Sequence, residues 1–201
     1  MHAEADQDRP GDHWVTIDGS HVLIHEPQGT KPAQEQPLSS VMVLGKKVVI
    51  TYDPGILLRD QLKASTAIAA AADLLSKNAA KFTDDEKKAI GEISSFRVTE
   101  SPNVYLGATG KRSMTLSFNY IQDTSAPWLA STFGHEGQHY LNAGKYSGAD
   151  LWRDEQSASK TQLGIGSKIG LSANDQKNLR DWMDDKNRAK MQEHMMKGYT
   201  D

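Results

Sequence analysis

The chain has 201 residues, 37% hydrophobic and 24% charged, with a net charge of -3 at neutral pH. That length supports one domain, or one with a small appendage, around a real core. The weakly negative balance carries no nucleic-acid footprint, and the absence of cysteine excludes a disulfide framework and any Cys-based zinc site.

No apolar run reaches the roughly 20 residues of a membrane span. The stretch from Met1 to Asp12 lacks the apolar centre of a signal peptide. The expectation is a protein cytoplasmic as made, whose export would need a non-classical secretion system.

Residues 1–12 are charged and contain Pro10 and Gly11, so they read as a disordered lead-in. Two β-prone runs, from Trp14 to Ile17 and from Ser20 to Ile24, flank Asp18-Gly19, a strong hairpin signal. His21 and His25 share one face of the second strand and read as surface histidines. Residues 27–40 hold three prolines and form a linker or exposed loop. Val41 to Tyr52 reads as a second hairpin around Gly45. Residues 13–52 are thus expected as N-terminal β-hairpins with a Pro-rich loop, and residues 53–201 as the main domain.

Residues 56–81 are rich in Ala and Leu, with no internal Gly or Pro, and are expected as a long scaffold helix. Leu58, Leu62, Ser65, Ala69 and Ala72 form a stripe that permits close packing. Thr83-Asp84-Asp85-Glu86 is a capping box, opening a helix expected to run to about Phe96. Val104 to Leu106 is expected as a strand and Gly107 to Arg112 as a turn. Met114 to Ile121 alternates with period two and is expected as a strand, in a place where an edge strand could hold an extended peptide.

The stretch Phe133-Gly134-His135-Glu136-Gly137-Gln138-His139-Tyr140 contains His-Glu-x-x-His. On a helix, residues four apart share a face, so His135 and His139 can point two ring nitrogens at one metal ion. Glu136, one step round, can reach a water on that metal. Asp123-Thr124-Ser125 supplies N-cap residues, Pro127 suits a first turn, and Gly144 is a plausible stop. The motif therefore lies in a predicted helix of about five turns.

A third helix is expected from about Ala149 to Leu163, broken by Gly164 and Gly166, and a last one from Leu171-Ser172. The Met residues of that last helix read as core or partner packing. Asp181, Asp184 and Asp185 read as a solvated face.

A catalytic zinc site takes three protein ligands and a water. Asn142 and Lys145 stand where a metzincin has Gly and its third His, which excludes that class. Glu155 is the preferred third ligand because it lies on the next helix, with small Ala158 allowing close packing. Asp154 and Asp150 remain alternatives. A surface carboxylate paired with Arg153 or Lys160 is the plain reading of Glu155.

His135-Glu136-x-x-His139 followed by Glu155-x-x-Ala158 resembles a gluzincin-type metallopeptidase, and is similar to the HExxH toxin domains of bacterial polymorphic secretion systems. The likeness covers roughly residues 113–165. The resemblance implies an α+β fold: a zincin-like domain with a small antiparallel sheet packed on helices, preceded by the β-hairpins. It implies Zn2+ held by His135, His139 and Glu155, with Glu136 as base, and a peptide or protein substrate. An immunity or delivery partner would accompany a secreted effector. The transition-state-stabilising residue has no matching motif; Tyr146, in the loop between ligand helices, is the first candidate, ahead of Tyr140 and His194. Two other readings stay open: a zincin-shaped binding module of a phage or secretion apparatus, and a hydrolase of cell-wall peptides.

Overall fold

Strand alternation and helix caps set the local elements. The computed structural model describes residues 12–17, 20–25, 37–101, 106–109 and 112–198. The chain divides into two compact units, Met1–Glu35 and Gln36–Asp201.

In the first unit, β1 (Asp12–Ile17) pairs antiparallel with β2 (Ser20–His25), with Ile17 opposite Ser20. The expected Asp18-Gly19 turn, the lead-in, the Pro-rich stretch through residue 36 and the side chains of His21 and His25 lie outside the described residues.

The second unit is built on a five-stranded sheet of order β3-β4-β5-β7-β6. Its strands are β3 (Ser40–Val43), β4 (Lys46–Tyr52), β5 (Ser95–Thr99), β6 (Leu106–Thr109) and β7 (Ser113–Ser117). The second hairpin thus belongs to this sheet. β4 pairs parallel with β5 and β5 with β7, while the β3–β4 and β6–β7 pairs are antiparallel. The sheet is therefore mixed, not the antiparallel sheet expected. The parallel β4–β5 pair needs a crossover, which two helices supply. One face is apolar by alternation: Ile50, Phe96 and Met114 stand in register across three strands, all buried.

The crossover helices are α1 (Leu58–Lys77) and α2 (Asp84–Glu92). α1 buries Ala64, Ser65, Ile68, Ala71, Ala72 and Leu75, so the inward stripe is shifted from the expected one and Leu58 is exposed. α2 opens on the expected capping box, with Thr83 and Glu86 satisfying each other's backbone donors. It stops at Glu92, and Phe96 belongs to β5 because its ring fills the sheet's apolar face.

Two further expectations fail at β6 and β7. Gly107 to Thr109 is strand rather than turn. β7 ends at Ser117, and the chain turns into α3 (Phe118–Asp123). β7 is also an interior strand, covered on its outer side by β6, so it offers no free edge.

α4 (Ala126–Asn142) is the central helix, packed on α1, α2 and α5 (Leu151–Ile169). Leu129, Ala130 and Phe133 enter the core, where the Phe133 ring lies 4.7 Å from that of Phe96. α5 runs straight through Gly164 and Gly166, contrary to the expected break. A Cβ at Gly164 would stand 2.6 Å from Glu86 Oε1, and one at Gly166 2.6 Å from Leu171 Cδ2. Those glycines permit close approach instead of ending the helix.

The C-terminal segment is two helices rather than one, α6 (Ala173–Trp182) and α7 (Arg188–Gly198), with α7 packed on α5 through buried Met191 and Met195. Asp184 accepts from Lys186 N and opens a short turn that separates them.

The closest helix contact lies inside the motif. A Cβ on Gly137 would stand 1.8 Å from the backbone oxygen of Ala89, whereas one on Gly134 would meet side chains alone, Ile165 Cδ1 at 2.1 Å and Thr161 Cγ2 at 3.5 Å. Backbone cannot swing aside as a side-chain end can. Gly137→Ala is therefore expected to destabilise the protein by about 1–3 kcal/mol or more, and Gly134→Ala by less, partly offset by alanine's helix preference of about 1 kcal/mol. Urea unfolding of both variants checks this order; equal stability would remove the backbone contact as the constraint.

Candidate metal centre

Ser125 caps α4 by accepting from Trp128 N at 3.3 Å, and Pro127 occupies the first turn, where its missing N–H is harmless. The helix then carries His135 and His139 on one face. Their rings meet edge to face, with Nε2 atoms 3.1 Å apart. Nitrogens that close can share one proton at most. His135, Glu136 and His139 each offer a ligand atom, all within 4.8 Å of one another, and the group could hold a metal ion.

α5 returns antiparallel in sequence order after the loop at Gly144 and brings two acidic side chains under the same face. Asp154 is 3% exposed and Glu155 4%, so neither is a surface carboxylate. Glu155 Oε2 stands 3.6 Å from Nε2 of His135 and 3.6 Å from Nε2 of His139. Its other oxygen accepts from Trp182 Nε1 at 2.9 Å and from Ser159 Oγ at 3.3 Å. Asp154 approaches from behind: Oδ2 lies 3.1 Å from His139 Nδ1, and Oδ1 accepts from Asn142 Nδ2 at 2.7 Å. Asp154 thus meets the ring nitrogen that points away from His135. Asp150 is exposed and paired with Arg153 at 3.1 Å, outside the group.

The donors fit a cation on three grounds. Glu155 Oε2 is buried without a hydrogen-bond partner although it faces two imidazoles. Three carboxyl groups, Glu136, Asp154 and Glu155, crowd two imidazoles, leaving negative charge in excess. The triangle of 3.1, 3.6 and 3.6 Å brackets the edge of about 3.3–3.5 Å expected between N and O ligands of a four-coordinate divalent ion. Two carboxylates can serve as third donor: Glu136, within 4.8 Å of both imidazoles on α4, and Glu155, whose Oε2 faces both rings from α5.

Electrostatics follow the geometry. Burial opposes a charged His139, yet contact with Asp154 and the charges of Glu136, Asp154 and Glu155 prevail and push its pKa up to about 9. Burial likewise opposes an ionised Glu155, but His135, then His139 and the Trp182 N–H, hold its carboxyl far below the usual range.

Tyr120, on α3, accepts from Trp128 Nε1 at 2.7 Å. Burial raises its phenol, the Trp128 donor works the other way, and the charge of Glu136 helps push it up to about 12. Tyr120 thus lies within the field of Glu136, a relation hidden by the expected strand through Ile121. Trp182 was equally hidden, since nothing local ties it to a carboxylate 27 residues away.

The remaining candidates stand elsewhere. Tyr146 is half-buried in the α4–α5 loop and, among the described residues, makes no hydrogen bond to the group. Tyr140 donates to Ser113 O at 2.9 Å, and His194 meets Trp182 edge to face. Two surface concavities of about 410 and 330 Å³ lie beside the β3–β4 hairpin and α1, and neither is lined by the group. No helix among the described residues is long and apolar enough to cross a membrane.

No family model, curated protein or solved structure matches this chain.

The raised His139 pKa makes the metal-free protein pH-sensitive. Below about pH 6.5, the ordinary value, folded and unfolded chains both hold the proton and the stabilisation is complete. It is lost as pH rises through about 9. Glu155, with its lowered pKa, contributes above the ordinary carboxyl range and loses that contribution in acid. With metal removed, the urea midpoint should fall from pH 6.5 to 9.5, and fall less in Asp154→Asn. Identical slopes would exclude Asp154 as the cause.

Proposed function

We propose that the chain is a zinc-dependent hydrolase of peptide bonds, in which His135, His139 and Glu155 hold Zn2+ and Glu136 moves the proton. The observation that carries this reading is the unpartnered Glu155 Oε2 set 3.6 Å from both Nε2 atoms, with Glu136 on the adjoining helix position. Two neutral nitrogens and one carboxylate oxygen are a catalytic zinc set, leaving a position open for water or substrate. The helix pair and mixed sheet are compatible with the zincin-like, gluzincin-type arrangement that the motif resembles.

When bound, the metal supplies Lewis acidity, polarising a carbonyl and acidifying water. Asp154 keeps the His139 ring turned with Nε2 forward, by holding Nδ1 from behind. Glu136 accepts a proton from the attacking water on its carboxylate and delivers it to the leaving amine as the C–N bond breaks. Its burial keeps bulk water from competing for that proton. For the charge growing on the carbonyl oxygen, Tyr146 is a candidate by its place in the loop joining the ligand helices alone, since among the described residues it makes no hydrogen bond to the group.

A protein or peptide substrate and a role as a bacterial secreted effector follow from the same motif resemblance. Digestion of casein against purified peptidoglycan distinguishes a general peptidase from a hydrolase of cell-wall peptides. Bound zinc without either cleavage would leave a metal-containing binding module.

His139→Ala is expected to abolish zinc retention, read by elemental analysis of the purified protein. Glu136→Gln is expected to keep the zinc and lower kcat about 10²–10⁴-fold, the usual share of a general acid–base. Full cleavage by Glu136→Gln would dismiss Glu136 as the base, and a zinc-free wild-type protein would dismiss the centre.

A further inference from the structure

The two oxygens of Glu155 have unlike surroundings. Oε1 takes both neutral donors, Trp182 Nε1 at 2.9 Å and Ser159 Oγ at 3.3 Å. Oε2 is buried with no hydrogen-bond partner and faces the two imidazoles. A carboxylate left to itself can turn about its last bond and offer a cation one oxygen or both. Here one oxygen is already engaged.

The engaging donor comes from outside the ligand helices. Trp182 is the last residue of α6, and its neighbour Met183 accepts through its backbone oxygen from Gln156 Nε2 at 3.0 Å, which ties the end of α6 to α5 beside Glu155. His194 of α7 packs edge to face on the Trp182 ring at 6.1 Å. The indole is thus held on two sides with its N–H aimed at the carboxylate. Packing alone would not require that aim, since an apolar ring could fill the same space.

We propose that Trp182 is a positioning residue that confines Glu155 to one-oxygen ligation of a metal ion shared with His135 and His139. The proposal rests on the metal reading given above. Its consequence is chemical. One-oxygen ligation keeps the protein ligands at three and the ion four-coordinate with a water, the state that favours zinc and cobalt over larger oxygen-seeking cations. If Oε1 were released, it would swing toward the ion and raise the coordination number.

The test uses the full chain, stripped of metal and titrated with Co2+ and Zn2+. The wild type should show the intense visible absorption of four-coordinate cobalt. Trp182→Phe keeps the ring and removes the donor. It should bind zinc about 10–100-fold more weakly, the usual effect of losing a partner behind a ligand. Its cobalt bands should weaken to those of a five- or six-coordinate ion. Ser159→Ala removes the longer hydrogen bond and should shift both readouts less, in the same direction. If Trp182→Phe does not fold, Trp182→His, a smaller ring that removes the indole N–H from its place, takes the same two readouts. Unchanged spectrum and affinity in the folded variants overturn the role of Trp182 while leaving the metal centre intact. A wild-type protein that binds neither ion overturns the centre, and the role with it.

Discussion

Taking a carboxylate out of water costs several kcal/mol unless its lone pairs find partners. α5 nevertheless buries Asp154 and Glu155 in succession, against the face of α4 that carries His135 and His139. Most of that cost is offset locally. Asn142 donates to one oxygen of Asp154 and His139 Nδ1 stands 3.1 Å from the other, while Trp182 and Ser159 satisfy one oxygen of Glu155. The remainder, Glu155 Oε2, is where a cation would complete the arrangement. The whole helical layer has to be held so that these groups neither separate nor flood.

That holding is done by rigid elements. α4 is anchored on the sheet by Phe133 against Phe96, and its backbone is drawn against α2 at Gly137. α5 is drawn to α2 by Lys168, whose Nζ donates to Glu86 at 2.7 Å, and by the missing side chain at Gly164. Glu86 is also the capping-box residue of α2, so one carboxylate fastens a helix start and a helix pair. Ligand side chains mounted on packed helices keep their spacing better than side chains on loops, and a metal site tolerates errors of only a few tenths of an ångström.

The outer helices brace this layer. On α7, Gln192 accepts from Trp152 N at 3.0 Å and donates to Gly148 O at 2.7 Å, closing the start of α5. Arg188 lies over the Trp152 ring at 4.4 Å, with Arg153 also over that ring at 5.0 Å. α6 contributes Trp182. α6 and α7 therefore act on the candidate centre from behind, through α5, without supplying a ligand.

The sequence by itself determined what depends on neighbours a few residues apart. The capping box at Thr83 and Glu86, the hairpin at Val41 to Tyr52, and the helical four-residue step between His135 and His139 are all local patterns, and each recurs in the folded chain. Tertiary structure decided the rest. Gly164 and Gly166 look like breakers by propensity, yet α5 continues because close packing against Glu86 and Leu171 outweighs their cost. Period-two alternation suggested a strand through Ile121, but the apolar face of the sheet ends at Leu116, and Phe118 and Tyr120 pack from a helix instead. The mixed sheet order and the Trp182–Glu155 contact join segments far apart in the chain. Local spacing carries no information about such pairings, because they are set by which buried surfaces and unsatisfied donors can meet once the helices have packed.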